Sequence, residues 1–175
     1  MSTAPTLATE RLTLRPMREA DFSAYRDMMA SPRSIYMGGP VEPRFAWGMF
    51  CHDIACWTLF GHGALMIEVT ATGACVGQVG INGGPFFPEK ELGWLIYDGF
   101  ERMGYATEAA LALRDWAFAT LGLPTLVSYI DPANAASTAV AQRLGGIEDP
   151  HAVRQDPEDR VYRYAPPSLG SAAGI

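Results

Sequence analysis

The segment Glu101–Phe118, ERMGYATEAALALRDWAF, joins a small-residue opening to a long apolar stretch of helical period. The first turn of a helix carries unpaired backbone N–H groups and a partial positive charge. Gly104 and Ala106 leave that backbone uncovered, which is what an anion such as pyrophosphate requires of a helix start. Thr107 adds a hydroxyl to the same place and Arg102 a cation. A loop glycine ahead of an ordinary core helix is the plainer account of the same residues. Two familiar phosphate loops do not fit. The P-loop needs Lys-Ser/Thr after its second glycine, where this chain has Thr107-Glu108 after Ala106, and the dinucleotide fingerprint needs three spaced glycines.

The elements that would position this helix follow from the changes of period along the chain. RLTLRP alternates Leu12 and Leu14 with polar neighbours and predicts a strand ended by Pro16. READFSAYRDMMA predicts a helix, with Phe22, Tyr25 and Met29 on one face and Pro32 as its stop. PRFAWGMFCHDIACWTLFG is a second, more apolar helical region. ALMIEV and CVGQVGIN are strands joined by a turn at Gly73, and KELGWLIYD is a third. After the helix from Gly104 come the strand PTLVSYID, the helix NAASTAVAQRL and the strand DRVYRYA. The order β-α-α-β-β-β-α-β-α-β predicts an α+β domain, a mixed sheet with helices on both faces.

Of 175 residues, 49% are hydrophobic and 18% charged, which excludes a disordered chain and suits one domain over residues 1–165. The remainder, 166–175, is expected to be a flexible tail. A net charge of -6 with no Lys/Arg-rich run argues against a nucleic-acid or membrane-surface partner. No stretch reaches the roughly 20 apolar residues of a membrane span, the opening MSTAPTLATERLTL lacks the pattern of a secretory signal, and three cysteines do not make a disulfide framework. The expectation is a cytoplasmic protein.

Taken in order, LGWLI, R-M-G-Y-A-T-E-A, LVSYI and N-A-A-S…Q-R-L-G resemble the GNAT superfamily of acetyl-CoA-dependent N-acetyltransferases. The opening TERLTLRPMREAD is similar to the RimJ/RimL type, the ribosomal-protein N-terminal acetyltransferases, and the resemblance runs from Thr9 to Tyr164. It implies a mostly antiparallel twisted sheet whose two central parallel strands, Leu92–Tyr97 and Leu126–Asp131, splay apart. Acetyl-CoA would lie in that splay, with its pantetheine arm on the backbone of Leu95 and Ile96 and reached by Asn134. Its pyrophosphate would sit on Arg102, Met103, Gly104, Tyr105, Ala106 and Thr107. The partner implied is an amine acceptor, a protein N-terminus or a small molecule, and a homodimer is compatible with the chain. Three positions depart from the family pattern: Glu101 in place of Gln or Arg, Gly146 in place of an aromatic after Leu144-Gly145, and Ala141 in place of a tyrosine general acid. Ser137 matches the serine common in the RimJ/RimL type.

Acetyl transfer to an amine needs a neutral nucleophile, a donor to the carbonyl oxygen and a proton for the departing sulfur. The amide of Ile96 or Leu95 is the expected oxyanion donor. Ser137 would hydrogen-bond or protonate the sulfur, or else merely bond back to its own helix. Glu91, at the start of the central strand, is the expected general base, with Glu68 and Asp131 as rivals; Asp131 could equally cap the next helix. CHDIAC resembles a metal or triad motif, but adjacent Cys51, His52 and Asp53 point in different directions on a helix, and core packing is the expectation. Of the aromatic series that begins at Tyr36, Tyr36 itself is expected near the acceptor. The rival functions are a non-catalytic acyl-CoA-binding module and a partner-binding domain with no cofactor.

Overall fold

In the computed structural model, which describes residues 4–166, the chain folds around an eight-stranded sheet ordered β1-β2-β3-β4-β5-β6-β8-β7. The expected tail lies, from residue 167 onward, outside the described residues. β2 (Leu12–Pro16), β3 (Ala64–Val69), β4 (Ala74–Asn82) and β5 (Glu91–Ile96) form an antiparallel meander. β6 (Leu126–Ile130) runs parallel to β5 and antiparallel to β8 (Arg160–Tyr164). The expected fold class is therefore observed. Two short strands that period alone did not predict, β1 (Leu7–Ala8) and β7 (Ile147–Glu148), close the two edges; at two residues each, neither can show a repeat of period two.

The alternation of side chains along a strand decides which face each one takes. Leu12, Leu14, Leu65, Ile67, Val79, Ile81 and Leu92 are wholly buried on one face. They meet Ala109, Ala110, Leu113 and Ala117 of α3 (Tyr105–Trp116) and its continuation to Leu121. The alanines of that stripe let the helix axis approach the sheet closely, and α4 (Ala135–Arg143) adds Ala141. On the other face α1 (Phe22–Met29) and α2 (Pro43–Phe60) enclose smaller clusters around Tyr25, Met29, Phe50 and around Met28, Met66, Tyr97. A turn of 3₁₀ helix, Pro32–Met37, joins these two helices. Arg15 is buried there between Asp21 and Glu68, at 2.8 and 2.7 Å. Among the described residues no helix is long and apolar enough to cross a membrane.

Candidate active site

The site begins where β5 and β6 part. The two strands pair at Glu91 and Val127, with Val127 N–H donating to Lys90 O at 3.1 Å. One step on, the Ser128 hydroxyl donates to Leu92 O at 2.5 Å and accepts from Tyr164 Oη at 3.1 Å. A side chain thus takes the place of a ladder bond, and the strands diverge: β5 stays on β4 to Ile96, and β6 stays on β8 to Ile130.

Which backbone groups face the gap follows from the antiparallel alternation of the β4–β5 ladder. Tyr97 N–H donates to Val76 O at 2.8 Å, so the next ladder bonds fall on Leu95 with its register partner Gln78. Two independent facts agree. A Cβ on Gly77 of β4 would stand 2.2 Å from Leu95 O, placing that carbonyl on the β4 side, whereas Ile96 O accepts from Arg33 Nη2 at 3.1 Å. The amides of Trp94 and Ile96 therefore turn toward β6 and the gap. This corrects the expectation for Leu95: its amide is occupied within the sheet, and Trp94, which period alone did not single out, takes its place.

A cavity of about 2460 Å³ opens from the gap, well above the ~300–1,000 Å³ of an ordinary single-ligand site. At one end lies the start of α3. Gly104 is its N-cap, with φ of 81°, a left-handed conformation that glycine adopts without strain. Glu108 N–H makes the first α-helical bond, to Gly104 O, so the N–H groups of Tyr105, Ala106 and Thr107 precede it. Arg102, at φ 62°, Gly104, Tyr105, Ala106 and Thr107 line the cavity. Met103 does not: its side chain is exposed and its carbonyl accepts from Arg11 Nη1 at 2.9 Å. Arg11 is itself held by Glu108 at 2.6 Å.

Across the gap, Asn134 caps α4, its Oδ1 accepting from Ser137 N–H at 3.1 Å. That leaves its Nδ2 for the cavity. Ser137 lines the cavity too, and among the described residues its hydroxyl is not bonded back to a helix carbonyl. Asp131 does not cap α4; it is exposed and accepts from Ala133 N–H at 2.7 Å.

The face toward α1 and α2 carries two carboxylates, each on a carboxamide. Glu91 accepts from Asn82 Nδ2 at 3.1 Å. Asp53 of α2 accepts from Gln78 Nε2 at 2.9 Å. Between them the register partners Gly80 and Gly93 leave a floor without side chains. Burial raises both acids: Glu91 above the usual carboxylate range, against the bond from Asn82, and Asp53 to about 7, against the bond from Gln78. Asp53 corrects the core-packing expectation for its segment, although Cys56 is buried as expected. Glu68 is spent on Arg15. Tyr36 lines the same cavity. The signals for the missed groups were legible: Gln78 and Asn82 lie four residues apart on one face of an otherwise apolar strand, with a glycine between them, and Asp53 is the lone acid of an apolar helix.

Comparison with known proteins gives three kinds of likeness. The family model described as an acetyltransferase (GNAT) domain matches residues 11–147. The crystal structure of an acetyltransferase from Agrobacterium tumefaciens strain C58 is 67% identical at a TM-score of 0.90, with 93% of this chain and 95% of that one covered. An uncharacterized N-acetyltransferase of Bacillus subtilis strain 168, YnaD, is 31% identical over 55 residues, a match that spans 31% of this chain and only 32% of that protein's length. RimL, a ribosomal L7/L12 alpha-N-protein acetyltransferase solved in complex with coenzyme A, shares the fold at a TM-score of 0.71 and 17% identity, covering 93% of this chain and 98% of that one.

Proposed function

This chain belongs to the GNAT acetyltransferase family, and from that premise we propose that it is an N-acetyltransferase of the RimJ/RimL type, moving an acetyl group from acetyl-CoA to a primary amine by direct transfer in a ternary complex. The observation that carries the reading is the gap between β5 and β6, with two unladdered backbone positions on one side and a helix N-terminus at its mouth. An amide-rich arm finds donors and acceptors at Trp94 and Ile96 like those of a missing strand, and a pyrophosphate finds the first-turn N–H groups of α3. The size of the cavity supports a ternary complex, because it leaves room for an acceptor beside a long cofactor.

When bound, acetyl-CoA supplies the activated acetyl group as a thioester. The chain's own residues do the rest. The Ile96 amide donates to the carbonyl oxygen that gains charge. Glu91 would remove the ammonium proton of the acceptor, directly or through a water, so that a neutral nitrogen forms the new C–N bond as the C–S bond breaks; the second proton that this nitrogen sheds would end on the departing sulfur, giving the free thiol. Ser137 hydrogen-bonds the sulfur that leaves with the electron pair. Asp53 holds the incoming cation over the Gly80–Gly93 floor. Much of the acceleration would come from alignment alone, since amine attack on a thioester is feasible without strong activation.

The test is calorimetric titration with acetyl-CoA, followed by thiol release against a panel of amines and peptides. Binding with release for one acceptor class is expected. Binding without release from any member of a broad panel would instead favour an acyl-CoA-binding module, and no binding would remove the cofactor assignment.

A further inference from the structure

An acid at the opening of an anion-binding loop calls for a physical account, and Glu101 is such an acid. Its Oε2 accepts from Gly99 N–H at 2.9 Å, and its Oε1 pairs with Arg33 Nη2 at 2.7 Å. Arg33 comes from the turn Pro32–Met37 between α1 and α2, on the acceptor side of the sheet. The same Nη2 donates to Ile96 O, the carbonyl that faces the gap. Nη2 thus holds one hydrogen bond, to the strand, and one ion pair, to the loop. Asp98, the other acid within reach, is 3.5 Å from Nη1 and almost fully solvated, too far and too wet to hold it. Among the described residues Nε and Nη1 hold no hydrogen bond. A guanidinium has five N–H donors in a rigid plane, so this one is oriented through Nη2, and the three donors of Nε and Nη1 are left over.

The place where it is held matters as much. Ile96 is the last residue of β5, and Glu101 opens the loop that leads into α3. Arg33 bridges these two points, the junction between the gap, where an arm would lie, and the helix mouth, where phosphates would sit. It lines the same cavity as Gly104 and Thr107. A carbonyl oxygen accepts two hydrogen bonds, so Ile96 O can keep Arg33 and still receive an amide N–H from a ligand.

On the reading that acetyl-CoA occupies this cavity, we propose that Arg33 is a binding residue for the phosphate-bearing part of the cofactor, delivered from the acceptor side of the cleft and oriented by Glu101. Glu101 is an aiming group, and its charge is compensated by the guanidinium it aims. The arrangement also ties the wall that carries Tyr36 and Met37 to cofactor occupancy, because the turn that bears Arg33 bears them too.

The experiment compares CoA with pantetheine, the same arm without phosphates, by calorimetric titration of the wild type, Arg33→Met, Arg33→Lys and Glu101→Gln. Loss of a charge-assisted bond to phosphate corresponds to about tenfold or more in affinity. Arg33→Met is therefore expected to weaken CoA about tenfold, to leave pantetheine within about twofold, and to be partly restored by Lys. Glu101→Gln is expected to bind CoA no more tightly than the wild type does. Equal losses for the two ligands would show that Arg33 only props the turn against β5, and an unchanged CoA affinity would remove its role altogether. Tighter CoA binding by Glu101→Gln would show that Glu101 merely repels phosphate. A wild type that binds no CoA at all would instead overturn the cofactor reading beneath.

Discussion

The Asp53 carboxylate on α2 and the Gln78 carboxamide on β4 lie 25 residues apart in the chain and meet at 2.9 Å on the open face of the sheet. The bond holds an acid whose burial raises it to about 7, on the opposite side of a glycine floor from Glu91. An acid raised in the folded state binds its proton there at pH values where the unfolded chain has lost it. Stability contributed at Asp53 is therefore greatest below the unfolded value, near 4, and declines as pH rises to about 7. Urea unfolding at pH 5 and pH 8 should show the wild type losing more stability over this interval than Asp53→Asn, by on the order of 1–2 kcal/mol. Equal losses would mean that Asp53 is not raised.

The two carboxylates are expected to separate kinetically. Glu91→Gln should lower kcat by about 10²–10⁴, the usual worth of a general base, and abolish the acidic limb of the pH–rate profile. Asp53→Asn should act mainly on KM for the amine. A large kcat effect in Asp53→Asn with little in Glu91→Gln would exchange the two roles.

Gly104 stands at φ 81° in the N-cap of α3. A β-branched residue there costs about 1–3 kcal/mol of backbone strain and covers the helix mouth. Gly122, at φ 62° with open space around it and outside the cavity, is the control. Gly104→Val and Gly122→Val should lower the melting temperature comparably, while only Gly104→Val weakens CoA binding. Normal CoA affinity in Gly104→Val would refute the anion-binding account of this helix start.

Ser137 contributes its N–H to the Asn134 cap, and that bond survives loss of its hydroxyl. Ser137→Ala should therefore fold as the wild type does, bind CoA within about twofold, and lose about tenfold or more in kcat, consistent with one hydrogen bond to a charged group. Unchanged turnover would leave the sulfur to be protonated by water.

Asp21 titrates in the opposite sense from Asp53. Burial alone would raise it, but the Arg15 and Arg18 N–H bonds prevail and hold it below its ordinary value. Its contribution is present above about pH 4 and is lost as pH falls through the lower folded value. Asp21→Asn strands Arg15 in a buried site with Glu68 as its remaining partner, a loss of about 3–5 kcal/mol for a broken buried pair. Denaturant midpoints at pH 7 and pH 3 check this, with the difference between variant and wild type shrinking at the lower pH.

Local physics was enough for much of this molecule. A strand shows its period or its apolar run within five or six residues, so β2 to β6 and β8 could be placed without coordinates, and the inward face of β2 follows from Leu12 and Leu14. A helix start shows itself in a turn, and α3 begins at Gly104 as its small residues implied, whereas the cap of α4 is Asn134 and not Asp131. What the chain could not disclose is whatever depends on a neighbour distant in sequence. Whether Leu95 or Ile96 presents its amide to the gap depends on a hydrogen bond between Tyr97 and Val76, and a shift of one residue would have reversed it. Whether Asp53 is packing or chemistry depends on Gln78, which becomes its neighbour only once α2 lies across β4. Glu101 looked like a misplaced charge until Arg33, from the far side of the cleft, was found against it. Side-chain type and period are properties of a few consecutive residues, whereas the direction of an amide and the partner of a charge are properties of the packed sheet.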